Sequence, residues 1–209
     1  DVYKRQFIYN TFEKLMKAIS KSLKKNDPNH LNLGIRYGYI EQLDDELLRI
    51  SKESFDALSF NCYALSPDHE KMNHALEISG LPMIIGEYHF GTVDRGLAQS
   101  LWQVNSQKER GDAFRYYTEN AFAHRGLIGT GWFRWIDQNI NGRTDGENYN
   151  CGFIDVTDRP YPYMVDAAIE TAKSLYEIHS GTKTPFHQAP NAVGHSPIPL
   201  SLIHISEST

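Results

Sequence analysis

Apolar positions along the chain follow two spacings that take turns. Phe12, Leu15, Met16, Ile19 and Leu23 recur every three or four residues, which predicts an amphipathic helix over 10–25, with Asn10 and Glu13 as a candidate capping box. The helix is expected to stop before Asn26-Asp27-Pro28, because the residue ahead of a proline is pushed out of the helical region. Continuous apolar runs then alternate with helical stripes. Strands are predicted over 31–37, 55–63, 81–89 and 126–135, and helices over 44–51, 67–79 and 112–123, with Gly80 placed to end the second of these helices. Residues 92–110 read as a loop with irregular helix, 139–150 as a polar loop punctuated by glycines, and 153–156 as a short extended piece. Pro160 is expected to open a last helix reaching about His179.

The four strands are near-continuous apolar runs and not alternating ones, which predicts burial on both faces and a parallel sheet. A doubly wound nucleotide-binding sheet would need a glycine-rich turn after its first strand, and GYIEQLDDE is no phosphate cradle. The remaining parallel architecture is a (β/α)8 TIM barrel, of which four strand–helix units would be a part, so the fold class is α/β with a partial barrel. Barrels carry their chemistry at the C-terminal ends of strands, and polar residues gather there in this chain. Strand parity places Ser59, Asn61 and Tyr63 on one side. It places Met83, Ile85, Glu87 and His89 together facing the barrel interior, with Ile128, Thr130 and Trp132 doing the same on the fourth strand.

Composition narrows the function classes. Of 209 residues 40% are hydrophobic and 12% aromatic, too much apolar surface for a disordered chain. Lys and Arg number 21 against 26 Asp and Glu, a net charge of −5, so no general attraction to nucleic acid is expected. No apolar run is long enough to predict a membrane span. Cys62 and Cys151 cannot make a disulfide framework and are expected as free thiols, with Cys62 turned outward from its strand. The terminal strings DVYKRQ (1–6) and LSLIHISEST (200–209) resemble translated sequencing-adaptor read-through and are set aside from fold reasoning. Residues 7–180 are expected to be one barrel portion, and 181–199, with four prolines and no periodicity, a linker or tail.

The strand ends converge on Arg36, Asn61 with Tyr63, Glu87 with His89, and Trp132. A carboxylate ringed by arginine, tyrosine and tryptophan suits sugar cleavage. Aromatic faces stack on pyranose rings, arginine and tyrosine hold a carboxylate ionised, and that carboxylate can attack an anomeric carbon. Each residue also has a plainer reading. Arg36 could simply pair with a barrel glutamate, Asn61 and Tyr63 could be satisfied core groups, His89 a hydrogen-bonded neighbour, and Trp132 and Trp135 core. Asp137, Asn139, Asn141 and Gly142 match the start of a calcium-loop pattern, but Asn148 stands where that pattern needs glutamate. The loop is therefore expected to be cation-free and to line a sugar groove with Arg143, Asp145 and Glu147.

The segments KKNDPNHLNLGIRYG, NCY, LPMIIGEYHFGTVDRG and GWFRWIDQNINGRTDGENYNCGFIDVTDRPYPY together resemble the C-terminal half of a clan A glycoside hydrolase barrel. The likeness covers residues 7–179 and points to the β-agarase group, glycoside hydrolase family fifty. It implies strands five to eight of the barrel, with Glu87 as nucleophile ending strand seven and Tyr63 touching it from strand six. It further implies Trp132 flooring the cleavage subsite, although glycine stands where a histidine would precede that tryptophan. Arg36, Asn61, His89, Trp135, Asp137, Arg143, Asp145 and Glu147 would bind substrate, with no metal and no cofactor. The clan's acid/base, a glutamate preceded by asparagine, has no counterpart, since Asn-Glu occurs nowhere in the chain. The expected partners are an oligo- or polysaccharide and the N-terminal half of the same barrel, with no nucleic acid and no membrane. The isolated piece is expected to be inactive, and the whole enzyme to be secreted, periplasmic or on a bacterial cell surface. The expected reaction is retaining hydrolysis of β-galactosidic linkages in a galactan such as agarose. Another clan A activity, on β-galactosides, mannan or glucan, and a non-catalytic carbohydrate-binding barrel are the alternatives.

Overall fold

In a computed structural model describing residues 2–195, the strands β1 (Arg36–Tyr37), β2 (Leu58–Asn61), β3 (Met83–Tyr88) and β5 (Leu127–Trp132) form one parallel sheet in the order β1-β2-β3-β5. The string 200–209 lies outside the described residues. The helices α2 (Asp45–Ser54), α3 (His69–Ser79) and α4 (Gln107–Phe122) connect successive strands, and α1 (Val2–Asn26) and α5 (Pro162–His179) flank them. A second, two-stranded sheet pairs β4 (Trp102–Gln103) antiparallel with β6 (Val193–Gly194). The parallel α/β order is the one the apolar runs predict.

Local sequence sets the helix ends. Asp44 caps α2 by accepting from the Leu47 amide at 3.0 Å, and Asp68 caps α3 through the Glu70 and Lys71 amides. Gly80 ends α3 in the left-handed region with φ 67°, where a side chain would be strained. Helix α4 starts five residues ahead of the predicted 112, because Ser106 caps it through the Glu109 amide while Glu109 reaches back to the Asn105 amide. Gly111 lies inside α4, where its missing side chain admits the Tyr163 carbonyl of α5. Pro162, and not Pro160, stands at the start of α5.

Other boundaries move as well. Helix α1 runs back to Val2, so Asn10 is interior to it and caps nothing, and the added turns carry exposed Val2, Tyr3, Phe7 and Ile8. Only Arg36–Tyr37 of the predicted 31–37 strand joins the sheet. Asn32 ahead of it is engaged by Asp56 and the Ser54 carbonyl, and Gly34 turns at φ 69°. Residues 153–156 form only isolated bridges through Ile154. The segment 181–195 is held against the body. Phe186 gives its amide to buried Glu119 at 2.7 Å and its carbonyl to Asn120, Arg115 lies over its ring, and the His195 amide donates to the Leu101 carbonyl.

The core corrects the parity expected for β3 and β5. Met83, Ile85 and Tyr88 are buried with Met72 and Ala75 of α3 and with Tyr117 and Ala121 of α4, so they face the helices. Leu58, Phe60 and Leu127 join them there. The opposite face carries Ser59, Asn61, Ile84 and Gly86, with Ile128 53% exposed. On β5, Thr130 lies on the helix side within reach of the Tyr88 hydroxyl. Glu87 nonetheless reaches the open face because the pairing shifts between Phe60 and Asn61: Phe60 faces Ile85 but Asn61 faces Glu87. The extra residue of this bulge, Gly86, re-aims the carboxylate, as bulges do near functional sites.

Candidate active site

Glu87 stands near the C-terminal end of β3 with both carboxylate oxygens engaged. Oε1 pairs with the Arg36 guanidinium at 2.8 Å, and Oε2 accepts from Asn61 Nδ2 at 3.0 Å and the Tyr63 hydroxyl at 2.8 Å. Asn61 ends the neighbouring strand β2 and Tyr63 follows it, while Arg36 reaches across from β1, two strands away. The carboxylate is mostly buried, at 19% side-chain exposure, and Arg36 is half exposed. Charge-assisted bonds to a mostly buried carboxylate are the strong class of hydrogen bond. The Asn61 amide that donates to Glu87 leaves its own Oδ1 buried and without a partner among the described residues. Burying a polar atom in that way costs about 1–3 kcal/mol.

Tyr63 is fixed from behind. The Cys62 amide donates to the Glu87 carbonyl, and the Cys62 carbonyl accepts from the Tyr117 hydroxyl at 2.6 Å. Burial, reinforced by the Glu87 carboxylate, pushes the Tyr63 phenol far above its ordinary range, so it remains a donor. His89 packs edge-on against Tyr63 with ring centroids 4.9 Å apart. It was expected at the substrate surface, and the structure buries it. Its Nδ1 meets the Phe133 carbonyl at 3.1 Å and its Nε2 accepts from the Leu101 amide at 3.2 Å. Burial pushes its pKa down to about 3, so the ring is neutral and supports Tyr63 from below the surface.

The loop after β5 divides in two. Asp137 is buried and spent on structure: it accepts from Asn150 Nδ2, the Gly152 amide and the Tyr161 hydroxyl, which corrects its expected place in the groove. The first position of the calcium-like pattern is thereby occupied by protein donors. Arg110, also buried, donates to the Asn150 and Gly152 carbonyls and lies 4.4 Å from the Tyr161 ring centroid. Arg143, Asp145 and Glu147 come together near the surface as ion pairs, and Gln138 Nε2 donates to Glu147 at 2.8 Å. Partial burial works against the Arg143 charge, but Glu147 and Asp145 outweigh it, and Glu87 adds to their effect, so this loop shares the electrostatic field of the site.

Two tryptophans part company. Trp132 packs edge-on to Tyr88, Phe114 and Phe153, and its indole N–H donates to the Cys151 carbonyl at 2.7 Å. It belongs to the aromatic layer between sheet and α4 and does not floor the open face. Trp135 is 68% exposed and stacked on Phe153 at 5.9 Å, with its face open to solvent. Both cysteines are free and buried, with thiol pKa values pushed up by burial to about 11 for Cys62 and about 12 for Cys151. Three aromatic residues near the site escaped sequence reasoning. Tyr39 follows β1, and its phenol is raised by burial and then by Glu41 and Glu87. Phe133 lies 5.8 Å beneath the Arg143 guanidinium. Tyr149 packs edge-on to His89. Tyr39 and Phe133 share one signal, an aromatic just past a strand end, whereas Tyr149 lies far along the loop after β5.

The parallel order and the strand-end glutamate are those of part of a (β/α)8 barrel with a held carboxylate at its mouth. No family model matches the chain. It is a homologue of the β-agarases of glycoside hydrolase family fifty. It is 35% identical over 178 residues to β-agarase A of Vibrio sp. (strain JT0107), covering 82% of this chain and 17% of that relative. The crystal structure of an agarase, AgWH50C, superposes with a TM-score of 0.75 at 36% identity, over 80% of this chain and 24% of that one. Xylanase 10B from Thermotoga petrophila, at 15% identity and a TM-score of 0.50 over 78% of this chain and 52% of that one, shares the fold alone. The chain thus spans about a sixth of the curated relative it matches.

Proposed function

We propose that this chain supplies the nucleophile side of a retaining β-glycosidase that cleaves β-galactosidic linkages in agarose-type galactan. The observation that carries the reading is Glu87, mostly buried, at a strand end, with both oxygens held by Arg36, Asn61 and Tyr63. A Glu87 oxygen attacks the anomeric carbon while a carboxylic acid from the rest of the barrel protonates the departing glycosidic oxygen. The glycosyl–enzyme ester then yields to water, which gives its proton to that same second group, and Glu87 leaves as a carboxylate. Retention requires the two carboxyl groups about 5–5.5 Å apart. Trp135 offers a stacking face, and Arg143, Asp145 and Glu147 offer hydrogen bonds to sugar hydroxyls along the groove. The agarase homology supports the substrate class, and carboxylate chemistry of this kind needs no cofactor.

The test uses the complete enzyme carrying this segment. Glu87→Gly is expected to lower turnover of agarose oligosaccharides by at least about 10³-fold, in keeping with loss of a nucleophile. Added azide, which takes the vacated position, is expected to restore cleavage and release an α-glycosyl azide. Undiminished turnover in the variant, or release of a β-glycosyl azide, would overturn the assignment.

A further inference from the structure

We propose that Arg36 and Gly86 form a positioning pair that aims the Glu87 carboxylate, with Arg36 acting as a clamp on the nucleophile and not as a substrate ligand. The inference rests on Glu87 being the nucleophile. The last torsion of a glutamate side chain is broad and roughly two-fold, so nothing intrinsic to Glu87 sets the plane of its carboxylate. Asn61 and Tyr63, at and just past the end of β2, pin one oxygen, and among the described residues Arg36 pins the other. With both ends held, the plane is set before any substrate arrives. The pair is half exposed on the arginine side, where ion pairs contribute little to stability, so geometry and not stability is its evident product.

Arg36 reaches Glu87 from β1, two strands away, and the route runs across Gly86. A Cβ at position 86 would stand 2.3 Å from Arg36 Cδ, 3.1 Å from its Cγ and 3.3 Å from Asn61 Oδ1. These are mid-stem atoms of a side chain whose head is anchored on Glu87, so they cannot swing aside and keep the 2.8 Å contact. The same glycine is the bulge residue that turns Glu87 to the open face. One position without a side chain therefore both aims the carboxylate and admits its clamp.

The experiment compares Arg36→Ala, Gly86→Ala and the double variant in the complete enzyme, with melting temperatures recorded for each. Each single change is expected to lower kcat about 10²-fold at unchanged KM, the scale of a small misplacement of a reacting group. Gly86 has no left-handed φ, so alanine keeps the bulge and acts by displacing the Arg36 stem. The double variant should therefore lose about 10²-fold and not the roughly 10⁴-fold of independent effects. Guanidinium ion in solution should restore Arg36→Ala and leave Gly86→Ala unrestored, and Arg36→Lys should recover at least about tenfold over Arg36→Ala. Multiplicative losses, or a raised KM with kcat intact, would overturn the clamp and return Arg36 to the substrate. If Glu87→Gly is rescued by azide while Arg36→Ala turns over normally, the clamp alone fails; if azide does not rescue Glu87→Gly, the nucleophile assignment fails with it.

Discussion

Mild acid is expected to loosen the site through His89. Its ring is neutral in the folded protein because it is buried, donates to the Phe133 carbonyl and accepts from the Leu101 amide. A folded pKa near 3 against about 6.5 in an unfolded chain means that the unfolded state takes up the proton first. The stabilisation is therefore fully present above about 6.5 and is lost as pH falls towards 3. At 1.36 kcal/mol per unit, the step from neutral pH to 5.0 removes about 2 kcal/mol, and the whole window about 5 kcal/mol. For a domain of this size 2 kcal/mol corresponds to about 4–8 °C in Tm. The assay is Tm against pH from 7.5 to 5.0 for wild type and His89→Gln, whose amide can make both hydrogen bonds without titrating. The variant is expected to be less stable at pH 7.5 yet to lose about 2 kcal/mol less on acidification, since every other histidine is common to both proteins. Because His89 packs on Tyr63, activity of the complete enzyme carrying this segment should fall reversibly over the same range. Parallel Tm curves for the two proteins would refute the reasoning.

Two further changes probe the frame. Gly111→Ala would place a methyl group 2.5 Å from the backbone oxygen of Tyr163, which cannot turn away, so a loss of about 1–3 kcal/mol in urea unfolding is expected. An unchanged midpoint would mean that α4 and α5 do not approach there as described. Glu119→Gln removes the charge that receives the Phe186 amide, the Arg115 Nε and the Thr171 hydroxyl. Hydrogen bonds to a charged group contribute about 1.5–3 kcal/mol, so segment 183–195 should be cut by protease at least about tenfold faster, and equal cutting rates would count against its docking.

What could be read from the chain was decided by how local each signal is. Apolar runs and helical stripes are local, and they gave four parallel strands, their order and most of the helices. Ser106 and Glu109 are a local capping signal too, yet the predicted helix opens only at 112, just past the glycine at 111. Its reason lies in α5, more than fifty residues on. Strict alternation puts Met83, Ile85 and Glu87 on one face of β3, and it fails because the bulge at Gly86 adds a residue to the count. The carboxylate reaches the open face all the same, though Met83 and Ile85 do not. Asp137 and His89 look like surface chemistry in sequence, being polar residues beside a strand end. Their donors and acceptors at Asn150, Gly152, Tyr161, Leu101 and Phe133 are supplied by tertiary folding, so the inside position was not legible. Trp132 errs the same way, since its partners Phe114 and Phe153 come from α4 and a distant loop.

The local costs in the sheet converge on one group. Asn61 buries an acceptor without a donor so that its amide can face Glu87. Gly86 leaves the interior of β3 without a side chain to pack, and the β2–β3 register slips at the same point. A residue held only for stability would not gather these penalties: an apolar side chain at 87 with a regular ladder would avoid all of them. The proposed nucleophile role of Glu87, which depends on the orientation of its carboxylate, accounts for all three penalties together. Departures from local consistency are expected where function overrides it. Here they lie within one strand-end neighbourhood, and they mark Glu87, Gly86 and Asn61 as a unit more sharply than any of the three residues does alone.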